Sequence, residues 1–299
     1  MQIISVLLSF LLALLPGVPF FESVKASADE YSVSQLAQDA ITEDQLAQVA
    51  ETLEALDAAE EQLDGKNAMD FFPLSLLGEE IQKLAVYYMV ACLFSVNDGL
   101  SPLDAIRMQF ITAGEAQIIS RGIYTVIIDD YWKHDAAAHF MWGFSSTQRL
   151  SAEKARIHLI NYELAGLLKA AAERFINERY NELLKEGQSE AKARDAAITE
   201  GGAYALNRRE ILLNEAGESF EAWNKCFGKS EVMDFWNDNK GQKAALAKGP
   251  LANSYLTFLE EWDAGSLTMG ETEDQITMEK RQYIFENTSM WNPKVKGNW

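Results

Sequence analysis

The chain has 299 residues, of which 48% are hydrophobic, and a formal net charge of −19 at pH 7. This length is sufficient for one large domain or two small ones with a sizeable core. A surface this negative repels phosphate backbones and anionic lipid head groups, so no general nucleic-acid binding is expected. Two cysteines and three histidines are too few for a Cys-rich zinc site, so any bound metal needs carboxylate ligands.

The N-terminal residues 1–28 have the pattern of an export signal. An uncharged apolar run over residues 3–18 is shorter than the roughly 20 residues that span a bilayer. Ala26-Ser27-Ala28 then gives the small-residue pattern of a signal-peptide cleavage site. Because no Lys or Arg precedes the apolar run, an uncleaved membrane anchor is the alternative. We therefore expect a secreted or extracytoplasmic protein that contacts a membrane only through residues 1–28, and only if they are not cleaved.

Residues 29–66 are acidic and rich in Ala, Gln and Leu. Within them, Leu46, Val49, Leu53 and Leu56 recur at helical spacing. The pattern predicts an amphipathic helical arm that packs on the main domain or binds a protein partner.

The remaining chain, residues 67–286, predicts an all-α fold, a multi-helix bundle in one main domain with the N-terminal arm attached. Ser101-Pro102 and Ser151 are typical helix starts, and Gly187 and Gly201-Gly202 are predicted helix ends. The predicted helices cover 74–96, 101–121, 123–148, 151–187, 189–201, 204–222, 230–247, 250–262 and 271–286. Residues 287–299 are predicted to be an irregular aromatic tail. In an oxidising compartment Cys92 and Cys226 either pair or remain two separate thiols.

Several polar residues interrupt the apolar helical pattern. Asp135 and His139 lie four residues apart, so both project from one helix face, where a carboxylate can orient an imidazole. Glu163 projects beside the apolar stripe of the longest helix and needs a cation, a donor or a proton there. Asp234 and Asn237 form a polar stripe with Gly241 on a later helix. The structural alternatives are a core histidine bonded to its own aspartate, a glutamate that reaches water, and a solvated helix face.

These segments together resemble an uncharacterised family of bacterial helical domains. That family occurs in secreted proteins and at the C-termini of wall-associated and RHS-type polymorphic toxins. Its pattern is D-A-F-R-H-x-x-W, then H-E, then M-D-L-x-N-N-x-x-G, and the resemblance covers roughly residues 120–250. The matching positions are Asp135, Ala136, His139, Trp142, Glu163, Met233, Asp234, Asn237 and Gly241. The chain departs from the pattern at Ala138, Tyr162 and Asp238, where the family has Arg, His and Asn. The resemblance implies that His139, Glu163, Asp234 and Asn237 converge, without implying a known reaction.

Two classes of function follow from these residues. In the first, the protein is a toxin-like or envelope hydrolase with His139, Glu163, Asp234, Asn237 and Asp135 in its catalytic site. His139, Glu163 and Asp234 would hold a divalent metal such as Zn, Mn or Fe, with an open position for water. In the second, it is a non-catalytic extracytoplasmic binding or structural protein in which the same residues form a buried polar network. A third hypothesis is pore formation by the apolar helix 74–96.

Overall fold

The computed structural model describes residues 79–113, 116, 131–268 and 276–297. These residues form nine α-helices and no strand, which confirms the predicted all-α bundle. The predicted signal and the acidic arm lie outside the described residues. The helices are α1 Glu79–Asn97, α2 Pro102–Ile106, α3 Tyr131–Arg149, α4 Ala152–Lys185, α5 Glu190–Glu218, α6 Phe220–Cys226, α7 Lys229–Lys248, α8 Ser254–Asp263 and α9 Met278–Glu286.

Helix boundaries follow the local sequence at most positions. The side chains of Ser101 and Ser151 accept hydrogen bonds from the backbone N–H groups of Asp104 and Lys154, so both cap a helix as expected. After α2 the chain continues as a π-helical turn over Arg107–Thr112. Gly187 adopts a φ of 87° after α4, a conformation that glycine reaches without strain.

The predicted helix end at Gly201-Gly202 is wrong, because α5 runs unbroken from Glu190 to Glu218. Both glycines are buried where α5 packs on its neighbours. A Cβ atom at Gly201 would lie 2.2 Å from Cγ1 of Ile176 on α4. These glycines therefore permit a close helix contact, and tertiary packing outweighs their low helix propensity.

Helices α1, α4 and α5 pack side by side around one apolar cluster, which includes Val90, Phe94 and Leu164. A second cluster, which includes Phe140, Phe144 and Phe258, joins α3 to α7 and α8. Because α1 is a core helix with Val90 and Phe94 fully buried, its apolar face is not available for pore formation in this conformation. Within the described residues, no helix is long and apolar enough to cross a membrane.

The most extensive helix contact joins α3 to α7, and two glycines permit it. A Cβ at Gly241 would lie 2.0 Å from the carbonyl oxygen of Phe140, and one at Gly143 would lie 2.4 Å from that of Asp238. The two backbones therefore approach each other at both glycines. This approach brings side chains from the middle of α3 against side chains from the middle of α7.

The first residues of the predicted aromatic tail pack on the domain. Thr288–Met290 form a 3-10 turn, and Trp291 is buried in the first apolar cluster. The Arg156 guanidinium donates to the carbonyl oxygens of Ser289, Asn292 and Pro293. The tail is thus fixed to α4. Cys92 and Cys226 are both free thiols, of which Cys92 is buried.

Candidate metal centre

Three helices bring five ionisable side chains together in the interior. His139 lies on α3 with Asp135 one turn before it, Glu163 lies on α4, and Asp234 and Asp238 lie one turn apart on α7. The closely packed glycines of α3 and α7 place the two aspartates of α7 beside the imidazole. We call these five residues the His139 cluster.

Carboxylate oxygens lie close to both ring nitrogens of His139. Nε2 lies 3.4 Å from an oxygen of Asp234 and 3.9 Å from oxygens of both Glu163 and Asp135. Nδ1 lies 3.2 Å from Oδ1 of Asp238, within hydrogen-bond distance. If Nδ1 carries the proton and donates it to Asp238, Nε2 presents its lone pair to the other three carboxylates.

Three carboxylate oxygens of the cluster have no hydrogen-bond donor among the residues that the structure describes. They are Oε1 of Glu163, Oδ1 of Asp234 and Oδ2 of Asp238, and all three are buried. Within the described part of the chain, no lysine or arginine forms an ion pair with any of the four carboxylates. A buried carboxylate oxygen without a donor costs free energy, and native proteins satisfy most such atoms.

The pKa shifts of the cluster reflect the same excess of buried negative charge. Burial raises the pKa of Glu163, and the charges of Asp238 and Asp135 raise it further. Burial also raises the pKa of Asp234 and of Asp238, against the opposing effect of His139. For His139, burial alone would lower the pKa, but the charges of Asp234 and Asp238 raise it to about 10. Without a metal, His139 therefore retains its proton at neutral pH, and the buried carboxyl groups bind protons more readily than exposed ones.

The distances around Nε2 fit a metal ion. Ligand atoms about 2.1 Å from a tetrahedral metal lie about 3.4 Å from one another. The Asp234 oxygen is already 3.4 Å from Nε2, and the oxygens of Glu163 and Asp135 need to approach by only a few tenths of an ångström. Asp135, His139 and Asp234 each offer a ligand atom within 4.8 Å of the others, and so do His139, Glu163 and Asp238.

One side of the cluster is more accessible than the rest. The side chain of Asp135 is 21% exposed, against 10% or less for those of His139, Glu163, Asp234 and Asp238. Behind the imidazole, the Trp142 ring centroid lies 6.2 Å from that of His139, and Tyr162 packs edge-on against Trp142. Aromatic rings thus pack near one side of His139, and a small molecule would approach from the side of Asp135.

The structure places four of the five predicted site residues in the cluster, namely His139, Glu163, Asp234 and Asp135. Asn237 lies outside it, since its side-chain amide donates to the carbonyl oxygen of Thr268 and accepts from the Thr268 N–H. Asn237 therefore fixes the segment after α8 to α7. The roles of all five in catalysis or metal binding remain predictions.

Asp238 is the cluster member that sequence reasoning missed. In the sequence, Asp238 is distinguished only as a departure from the family pattern, at its second Asn. Its position four residues after Asp234 places both carboxylates on one face of α7, and this spacing would have identified it. As an aspartate, residue 238 adds a negative charge to the cluster when it is ionised.

A second buried histidine shows how a structural imidazole differs. His158 on α4 lies 2.9 Å from the hydroxyl of Ser95 and 3.3 Å from Oε1 of Gln109, with no carboxylate beside it. Burial lowers the pKa of His158 to about 3, so it is neutral in the folded protein. Both histidines are buried, but only His139 is surrounded by carboxylates. Burial in this fold therefore does not by itself explain the acidic surroundings of His139.

Comparison with known proteins gave no significant match. No protein-family model, no curated protein and no solved structure matches the chain.

Proposed function

We propose that the His139 cluster binds a divalent metal ion and that the protein is a metal-dependent hydrolase. The observation that carries the proposal is the set of buried carboxylate oxygens without donors that surround one imidazole. Nε2 of His139 and oxygens of Asp234 and Glu163 would be the ligands, which would leave a position of the metal open for water beside Asp135. Asp238 would accept the Nδ1 proton and thereby orient the imidazole toward the metal.

A metal explains the cluster better than a purely structural polar network does. A structural network satisfies its buried donors and acceptors, because each unsatisfied group is costly. The buried network around Arg209 has that character, with Asp98, Asn161 and Glu210 all bonded to its guanidinium. The His139 cluster has four acids and one base, and a divalent cation supplies the missing positive charge.

The ligand set also points to a class of metal. Two carboxylates and one imidazole, with the carboxylate of Asp135 beside them, form an oxygen-rich site, which suits Mn²⁺ and Fe²⁺ as well as Zn²⁺. Soft ions such as Cu⁺ prefer thiolate ligands, and neither Cys92 nor Cys226 belongs to the cluster. Mn²⁺ is the most informative probe, since it binds oxygen ligands well and carries unpaired electrons.

A bound metal would lower the pKa of a coordinated water and provide a hydroxide nucleophile near neutral pH. Asp135, the most accessible carboxylate, is placed to accept the proton that the water loses. The hydroxide oxygen would bond to the electrophilic carbon or phosphorus of the substrate, and the leaving group would depart with a proton returned from Asp135. The buried carboxylates of Glu163 and Asp234 would keep the metal in place.

The test is metal binding followed by hydrolysis in the same preparation. The full-length protein is stripped with a chelator, and its thermal unfolding is followed with Mn²⁺, Fe²⁺, Zn²⁺, Mg²⁺ and Ca²⁺. At 100 times its dissociation constant a ligand stabilises the folded state by about 2.7 kcal/mol, so we expect a shift of several degrees. In His139→Ala the shift should disappear, whereas His158→Gln, at the neutral histidine, should retain it.

Hydrolysis is then assayed with chromogenic ester, phosphodiester, glycoside and peptide substrates. The proposal predicts turnover of one class that requires the metal and is lost in His139→Ala. Metal binding without turnover of any class would refute the hydrolase assignment and leave a metal-stabilised structural protein.

A further inference from the structure

The His139 cluster contains more negative charge than one divalent cation neutralises. Its four carboxylates carry four negative charges when ionised, and a metal-ligating imidazole is neutral. One divalent cation therefore leaves two net negative charges among side chains that are mostly buried. Uncompensated charge of that kind is costly in a protein interior unless it is protonated or paired.

The excess charge is concentrated on one side of the cluster, between α4 and α7. A metal at Nε2 of His139 uses the donor-free oxygen of Asp234 and has Asp135 beside it. Oδ2 of Asp238 has no donor, and its other oxygen already accepts from Nδ1. Since the lone pairs of Nδ1 and Nε2 diverge, the Asp238 oxygen that bonds Nδ1 would not be a ligand of a metal at Nε2.

Glu163 lies near both Nε2 of His139 and the carboxylate of Asp238. It is 8% exposed, its Oε1 has no donor, and it offers a ligand atom within 4.8 Å of one from Asp238. Asp238 is also 95% buried, so two deeply buried carboxylates lie close together, and no lysine or arginine of the described residues is paired with either.

We propose that the centre holds two divalent cations, with Glu163 shared between them. The first would be bound by Nε2 of His139 and an oxygen of Asp234, with Asp135 beside it, and the second by the free oxygen of Asp238, while Glu163 would be a ligand of both. This inference rests on the proposed metal centre and specifies its composition. Four carboxylates and two divalent cations sum to zero charge, which removes the imbalance of the buried cluster.

The paired arrangement has a chemical consequence. Two cations held by shared carboxylates lie about 3.5–4 Å apart and stabilise both the attacking and the leaving oxygen of a displacement. The two candidate groups of ligand atoms, Asp135–His139–Asp234 and His139–Glu163–Asp238, share His139 and are therefore adjacent. The centre therefore suits substrates whose leaving group is itself an oxygen that a cation can bind, such as esters and phosphodiesters.

The experiment counts the cations and measures whether they interact. Chelator-stripped full-length protein is titrated with Mn²⁺ by calorimetry, its metal content is measured after gel filtration, and its electron paramagnetic resonance spectrum is recorded. We expect two tightly bound Mn²⁺ per chain and an exchange-coupled spectrum. Asp238→Asn should retain one Mn²⁺ with the hyperfine spectrum of an isolated ion. Asp195→Asn, the same change at an exposed aspartate of α5, should retain two coupled ions.

The results separate this inference from the proposed function. Saturation of the wild-type protein at one Mn²⁺ per chain, with an uncoupled spectrum, would overturn the second cation and leave the metal centre intact. No tight binding at all would overturn both. Circular dichroism shows whether Asp238→Asn is folded, and the wild-type count and spectrum decide the question even if that variant is not.

Discussion

Gly241→Ala tests the helix contact that assembles the His139 cluster. The added Cβ would lie 2.0 Å from the carbonyl oxygen of Phe140 and 2.9 Å from the amide nitrogen of Phe144. Ordinary contact begins at about 3.4 Å, so α3 and α7 must separate by about 1.4 Å at this point. Both obstructing atoms are backbone atoms, and neither can move away by a change of rotamer.

The expected cost exceeds the gain in helix propensity. Alanine stabilises a helix interior by about 1 kcal/mol relative to glycine. Overpacking of this kind typically costs about 1–3 kcal/mol, and a backbone collision belongs at the upper end. We therefore expect a net loss of about 2 kcal/mol in the free energy of unfolding, and a Tm lower by about 4–8 °C. The separation also moves Asp234 and Asp238 away from His139, so Mn²⁺ binding should weaken.

Urea unfolding of metal-free protein and Mn²⁺ calorimetry measure the two effects. The matched control is Gly217→Ala, a helical glycine of α5 with nothing within 4 Å of the added Cβ. It should leave Mn²⁺ affinity unchanged and should raise stability by up to about 1 kcal/mol. If Gly241→Ala were as stable as Gly217→Ala and bound Mn²⁺ normally, the reasoning about this contact would be refuted.

Three further predictions concern the ionisable groups. First, because the pKa values of Glu163, Asp234 and Asp238 are raised in the folded protein and that of His139 is raised to about 10, folding takes up protons. The stability that these groups contribute is therefore present at low pH and lost as pH rises through their folded pKa values. Metal-free protein should melt at a higher temperature at pH 5.5 than at pH 8.5. Glu163→Gln should reduce this difference in melting temperature and should also weaken Mn²⁺ binding. An unchanged difference in the variant would contradict the raised pKa of Glu163. Second, nitrogen-15 NMR of metal-free protein at pH 7 should show His139 protonated and His158 neutral. The opposite pattern would contradict the carboxylate surroundings of His139 and the burial of His158. Third, Arg209→Met should destabilise the protein by about 3–5 kcal/mol in urea unfolding, since it leaves Asp98 buried without its partner; a loss under 1 kcal/mol would show that the pair is not coupled.

The fold class and most helix boundaries were predictable from the sequence. Ser101, Ser151 and Gly187 are local signals, because a cap or a positive φ depends on residues within one turn. Gly201-Gly202 misled the prediction because its role is tertiary. In the local sequence two adjacent glycines predict the end of a helix. In the folded protein they form a contact surface on which Ile176 packs.

The candidate site was predictable only in part, for a related reason. The Asp135 and His139 pair is a spacing within one helix, and Glu163 is a charge beside an apolar stripe. Their convergence with α7 depends on the contact that Gly143 and Gly241 permit, which no local pattern specifies. Asn237 looked equivalent to Asp234 on the same helix, but it faces Thr268, and Asp238 occupies the position beside His139.

The most direct test of the metal centre is anomalous diffraction from a crystal of the full-length protein equilibrated with Mn²⁺. We predict a manganese peak about 2.2 Å from Nε2 of His139 and from an oxygen of Asp234, with Nδ1 still bonded to Asp238. A map without a peak at saturating Mn²⁺, with the carboxylates paired to one another through protons, would contradict the account and identify the cluster as a metal-free acid network.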